Sequence, residues 1–244
     1  MESTLKLDLL VMTVHPDDAE LGAGGVIAKY VAAGKKVGII DLTRGELGSR
    51  GTAETRANEA KNAAEILGVH VRENLGLADG FFQNEKSSQL AIIKALRKYK
   101  PEIVITNAIE DRHPDNGRAN KLVYDSVFLA GLQKIETSND SGQSQEQHRP
   151  RLLLEVIQDR FIQPDIVIDI TPFWNIKKQS ILAYQTQFNS TDPKYGPATY
   201  ISNPTFMKAT EARALELGRN IQVDYAEGFT SRKILGVSDL FELI

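Results

Sequence analysis

The chain has 244 residues, enough for one large domain with a sizeable core, and a single domain is expected. Its 29 Lys and Arg stand against 32 Asp and Glu, so a formal net charge of -3 offers no basic excess to hold a phosphate backbone, and nucleic acid is not an expected partner. With no cysteine, thiol catalysis, Cys-ligated zinc and disulfides are excluded, so any metal must be held by His, Asp, Glu, Asn or backbone oxygen.

The opening run MESTLKLDLLVMTV is acidic ahead of a short apolar stretch and breaks into His15-Pro16-Asp17-Asp18, unlike the small-residue cleavage site of a signal peptide. No apolar run approaches the ~20 residues that span a bilayer, so a cytoplasmic protein without a membrane partner is expected. Strands are predicted over 7–14, 37–42, 69–72 and 103–106, alternating with helices over 25–33, 53–67 and 89–99. This alternation argues for an α/β, Rossmann-like, mostly parallel sheet with helices on both faces. LDLLVMTV, VGIIDLT and EIVIT are nearly continuous in apolar residues, as strands covered on both faces require.

The second helix carries Ala53, Ala57, Ala60, Ala64 and Leu67 as a narrow stripe suited to packing on the sheet, with Gly68 as its C-cap. A helix over 121–132 places Val123, Val127, Ala130 and Gly131 on one face. Residues 136–147 (ETSNDSGQSQEQ), inside a 136–150 segment, read as a solvated loop or disordered insertion, with a substrate lid as the sharper alternative. Strands over 152–157 and 166–170 and helices near 176–188 and 205–218 complete the chain, with neither internal repeat nor domain boundary.

Two clusters can carry chemistry. His15, Asp17, Asp18 and Glu20 follow the first strand directly, at the carboxyl edge where open α/β sheets bind ligands. One imidazole and three carboxylates within six residues repel one another unless a cation or a protonation change relieves them. The plainer reading is that Asp17 and Asp18 cap the next helix. Gly22, Gly24 and Gly25 suggest instead a dinucleotide-binding fingerprint with Asp41 as the ribose acid, although Ile27 stands where the third glycine belongs and the acids would face a pyrophosphate. The second cluster, Glu110 to Asn116, follows the strand over 103–106 and so should lie on the same sheet edge. It repeats His-Pro-Asp as His113-Pro114-Asp115. His70 and His148, the remaining two of the 4 His, sit beside a strand and at the end of the polar loop.

HPDDAELGAGG, TRGELGSRGTAETRANEAKNAAEILGV, DRHPDNGRA and the late YAEGF together resemble the signature blocks of the PIG-L/LmbE-like zinc deacetylases, nearly end to end, and most of all the N-acetylglucosaminyl-malate deacetylases of bacillithiol synthesis. The resemblance implies metal-dependent removal of acetate from a GlcNAc conjugate, GlcNAc-malate first and another GlcNAc-containing molecule such as a chitooligosaccharide as the alternative, in a protein that forms homo-oligomers. It implies His15 and Asp18 as zinc ligands, Asp17 as general base, and His113 as the group that polarises the acyl oxygen or protonates the leaving amine, steadied by Asp115. The family's third ligand is a His, and here it is Asn116. A neutral amide oxygen suits zinc less well than imidazole and oxygen-seeking cations relatively better, so the resemblance leaves weakened zinc, another divalent cation or an inactive binding relative. Arg56 and Arg112 match arginines that contact the malate carboxylates, with Arg50 a weaker candidate. Taken singly, surface salt bridges to Glu59 or Glu110 explain the first two equally well.

Overall fold

The computed structural model describes residues 5–188 and 192–243. Seven strands form one sheet: β1 (Leu9–Thr13), β2 (Val37–Thr43), β3 (Val71–Leu77), β4 (Ile103–Thr106), β5 (Leu152–Val156), β6 (Ile166–Asp169) and β7 (Ala226–Thr230). Their order is β3-β2-β1-β4-β5-β7-β6. The first five run parallel, while β7 is antiparallel to both β5 and β6. The predicted α/β, mostly parallel fold is the one observed.

Every residue of β1 and β2 is buried, as their apolar runs require. Six helices cover the sheet: α1 (Asp18–Ala32), α2 (Ala53–Leu67), α3 (Lys86–Tyr99), α4 (Pro114–Ala130), α5 (Trp174–Leu182) and α6 (Pro204–Asn220). α3 and α4 pack Ile92, Leu96, Leu122 and Val123 against Leu10, Met12 and Ile40 on one face. On the other face, α1, α5 and α6 pack Ile27, Trp174 and Ala214 against Val11, Ile39 and Ile105.

Local signals set several helix ends. In α2 the Thr52 hydroxyl accepts from the Thr55 amide, the Thr55 hydroxyl accepts from the Thr52 amide, and Gly68 closes the helix at φ 71°. α4 begins at Pro114, seven residues before the predicted start, because His113 caps it and proline at its first position needs no N–H partner. The predicted alanine stripe is turned about the axis of α2: Ala57 is exposed, and the buried positions are Arg56, Glu59, Ala60, Ala63 and Leu67. Buried polar residues there are paired, Glu59 accepting from the Thr186 amide and hydroxyl at 2.7 and 2.8 Å, so polarity did not exclude them from the packed face.

The glycines of α1 lie inside a helix rather than in a phosphate loop. A Cβ on Gly25 would fall 2.5 Å from Ile170 Cδ1, and one on Gly22 would fall 2.8 Å from Val156 Cβ. They let α1 approach its neighbours closely, which removes the dinucleotide fingerprint. The polar segment 136–147 forms a turn in which Asn139 N donates to Gln143 O, with a single bridge between Ser138 and Ser144. It packs at the end of α3, where Arg97 donates to Ile135 O and to Thr137 Oγ1, and none of its residues lines the cavity described below. Among the described residues no helix is long and apolar enough to cross a membrane.

Candidate active site

β1 lies between β2 and β4, the point where the strand order reverses direction, so the loops after β1 and β4 leave the sheet side by side. Both clusters stand on those loops and open into one cavity of about 490 Å³. The rings of His15 and His113 meet edge to face with centroids 4.9 Å apart.

His15 is held on both sides. Its Nε2 lies 3.0 Å from Asp79 Oδ1 and 3.6 Å from Asp115 Oδ2, while its Nδ1 faces Asp18 Oδ2 at 3.5 Å. Burial works against its protonation, but the bonds to Asp115, Asp18 and Asp79 outweigh it and hold its pKa well above the ordinary value. Asp18 is buried, yet the contacts with His15 and the amide of Asn107 keep its carboxyl low. Its oxygens accept from His15 N (3.0 Å), Gln158 Nε2 (2.7 Å) and Asn107 Nδ2 (3.2 Å).

Asp17 precedes α1 with φ 117° and ψ -25°, a conformation that L residues rarely adopt. The turn points its carboxylate into the cavity instead of onto the helix amides: no side-chain cap bond forms, so the helix-cap reading of Asp17 fails. Burial pushes its pKa up to about 7, against the pull of Arg56. Arg56 donates to Asp17 Oδ2 at 2.9 Å and to Pro16 O, and its Nε has no partner among the described residues.

Asn116 Oδ1 faces Asn107 Nδ2 at 3.4 Å, and its Nδ2 donates to Asp111 at 2.7 Å. His15, Asp18 and Asn116 therefore border one space. Two donors about 2.1 Å from a shared tetrahedral ion stand about 3.4 Å apart, which matches the separation of His15 Nδ1 and Asp18 Oδ2. His15 Nδ1, Asp18 and Asn116 Oδ1 are therefore candidate donors for a divalent cation. His15, His113 and Asp115 also bring ligand atoms within 4.8 Å of one another. In that grouping, as at Asp18, the carboxylate oxygens already accept hydrogen bonds, here from Gly80 N (2.9 Å) and Arg118 (2.6 Å), and His15 Nε2 faces Asp79.

Asp115 does not steady His113 through its carboxylate. Its backbone N donates to His113 Nδ1 at 3.3 Å, while its carboxylate turns to His15 and Arg118. An Nδ1 that accepts leaves the proton on Nε2. Burial, together with the neighbouring His15 charge, lowers the pKa of His113 and favours the neutral ring.

The arginines separate. Arg56 and Arg112 line the cavity, Arg112 pairing with Asp159 and lying 4.4 Å from the Tyr200 ring centre, so neither makes the expected surface bridge to Glu59 or Glu110. Arg50 is buried away from the cavity, bonding the carbonyls of Thr186, Gly196 and Pro197 at 2.7, 3.0 and 2.9 Å, and it fastens two loops together. Asp79, Asn107, Gln158, Lys177 and Arg213 also line or support the site and went unnoticed in the sequence. Asn107 and Asp79 could have been found, because they follow β4 and β3 at the same carboxyl edge as His15.

The sequence pattern of the PIG-L family, described as GlcNAc-PI de-N-acetylase, matches residues 10–127. A diacetylchitobiose deacetylase of Thermococcus kodakarensis is 27% identical, covering 74% of this chain and 70% of its own. A probable N-acetyl-alpha-D-glucosaminyl L-malate deacetylase of Bacillus subtilis is 25% identical, covering 75% and 84%. The crystal structure of a conserved protein from Thermus thermophilus superposes with a TM-score of 0.83 at 36% identity, covering 95% of this chain and 98% of that one. With both His-Pro-Asp turns inside the matched residues and the fold shared over nearly the whole length, the chain belongs to the PIG-L family of de-N-acetylases.

Proposed function

We propose that the protein is a metal-dependent N-deacetylase that hydrolyses the acetamide of a GlcNAc conjugate in the cytoplasm, with GlcNAc-malate as the leading substrate and GlcN-malate and acetate as products. The observation that carries this reading is the meeting of two His-Pro-Asp turns in one cavity, with a buried carboxylate, a neutral imidazole and His15 Nδ1 3.5 Å from Asp18 Oδ2, the spacing of two ligands on one ion.

His15 Nδ1, Asp18 and Asn116 Oδ1 are the donors for the cation, and Asp79 on His15 Nε2 orients the ring toward it. A divalent ion bound there would lower the pKa of its water from ~15.7 toward ~7 and polarise the acyl oxygen. Asp17, buried and turned into the cavity, takes the proton from the attacking water. Arg56 keeps Asp17 turned into the cavity. His113, its Nε2 carrying the proton, donates to the developing oxyanion and then supports protonation of the departing amine. Arg112 and Arg56 serve the substrate's polar groups, and a homo-oligomer is the assembly that family resemblance suggests.

Asn116 supplies a specific reason for a second reading, a binding relative with little turnover, because its amide is engaged with Asp111 and offers only a weak donor. Metal content of the purified protein, measured with acetate release from GlcNAc-malate, decides between them. Bound divalent metal with acetate release supports the enzyme. Sugar binding without release, with zinc or manganese supplied, overturns it in favour of the binding relative.

A further inference from the structure

Two groups of charged side chains line the cavity. Asp17, Asp18, Asp79 and Asp115 gather around His15, while Arg112 and Arg213 gather with Tyr200 around Asp159. Of the arginines around the cavity, Arg56 is compensated by Asp17 and Arg112 by Asp159. Arg213 on α6 differs. It is half-buried, it lines the cavity, and among the described residues no carboxylate pairs with it. Among the described residues its one hydrogen bond runs from Nη2 to the backbone O of Asp159, at 2.7 Å.

The nearby carboxylate of Asp159 is already occupied: Arg112 Nε donates to one oxygen and the Tyr200 hydroxyl to the other, at 2.9 Å. That leaves most of the five N–H donors of the Arg213 guanidinium open to the cavity in a partly desolvated place, where a planar anion gains most from two parallel bonds. Arg213 is also linked to Asn116. Asn116 donates to Asp111, Asp111 accepts from the amide of Asp159, and Asp159 accepts from Arg213.

We infer that Arg213, flanked by Arg112 and Tyr200, is the subsite for a carboxylate on the aglycone of the substrate and sets the preference for acidic over neutral conjugates; this rests on the acetamido-sugar reading above. A sugar whose acetamide sits among the carboxylates around His15 can direct its aglycone toward Arg112 and Arg213. There a carboxylate meets one uncompensated guanidinium, and Arg112 can share its charge from Asp159. A neutral aglycone gains nothing from either.

Calorimetric titration of GlcNAc-malate and of the neutral methyl glycoside of GlcNAc tests this on the wild type, Arg213→Gln and Arg213→Lys. Glutamine keeps an N–H for Asp159 O and removes the charge, while lysine keeps the charge. Wild-type protein is expected to bind the malate conjugate at least about tenfold more tightly than the neutral glycoside. Arg213→Gln should reduce that preference to about twofold or less with affinity for the neutral glycoside unchanged, and Arg213→Lys should retain most of it. An undiminished preference in Arg213→Gln, an equal loss for both ligands, or a wild type without preference overturns the subsite. Acetate release in the same samples reports separately on the reaction: no release with the preference intact sinks the deacetylase reading and leaves the subsite standing.

Discussion

The two His-Pro-Asp turns share a tripeptide and a place at the ends of adjacent parallel strands, yet the chain folds them differently. In the first, Asp17 takes a left-handed backbone and α1 begins after it, so the carboxylate is thrown into the cavity and caps nothing. In the second, α4 begins at the proline itself, His113 caps it in extended conformation (φ -82°, ψ 123°), and Asp115 lies inside the first turn. The first turn thus delivers a buried acid of raised pKa, and the second a neutral imidazole of defined tautomer. A short motif states which groups are near the strand end; the start of the following helix decides where each one points.

Substitutions in the two turns sharpen the contrast. The largest effect is expected for Asp17→Asn, which keeps the shape and removes the base. Turnover should fall ~10²–10⁴-fold with metal content nearly unchanged, measured by acetate release and metal analysis. Full activity in this variant would take Asp17 out of the reaction. His113→Ala removes the donor from the second turn and should cost ~10²–10³-fold in kcat, with the circular dichroism spectrum unaltered. If the loss fell on KM alone, His113 would be a binding group.

Asn116→His restores an imidazole beside Asp18 and should tighten zinc by ~10–100-fold while raising acetate release. Equal zinc affinity and turnover in both proteins would mean that this position matters little. The smallest effect is expected at Gly25, one helical span beyond the first turn, where Gly25→Ala presses a methyl group onto Ile170. A loss of ~1–3 kcal/mol in denaturant stability is expected. An unchanged midpoint would show that α1 shifts freely against Ile170 at the end of β6.

Within this family the sequence alone supplied the parallel sheet, the bounds of α2 and β4, and the convergence of His15, Asp18 and Asn116 on one sheet edge. The sheet and the element bounds follow from apolar runs and caps within a few positions of one another, while position 116 was marked by its family resemblance and its place after a parallel strand. Tertiary structure decided the partners of the charged groups. Arg50 became a tie between loops, Arg56 a clamp on Asp17, and the Asp115 carboxylate turned from His113 to His15, because each pairing joins segments that only the strand order brings together. The buried face of α2 was likewise beyond local reading, since Glu59 is enclosed by virtue of Thr186, 127 residues away in the chain. Arg213 is the clearest case: nothing around it in sequence marks it, and it gains its meaning from Asp159, whose carboxylate is already engaged by Arg112 and Tyr200.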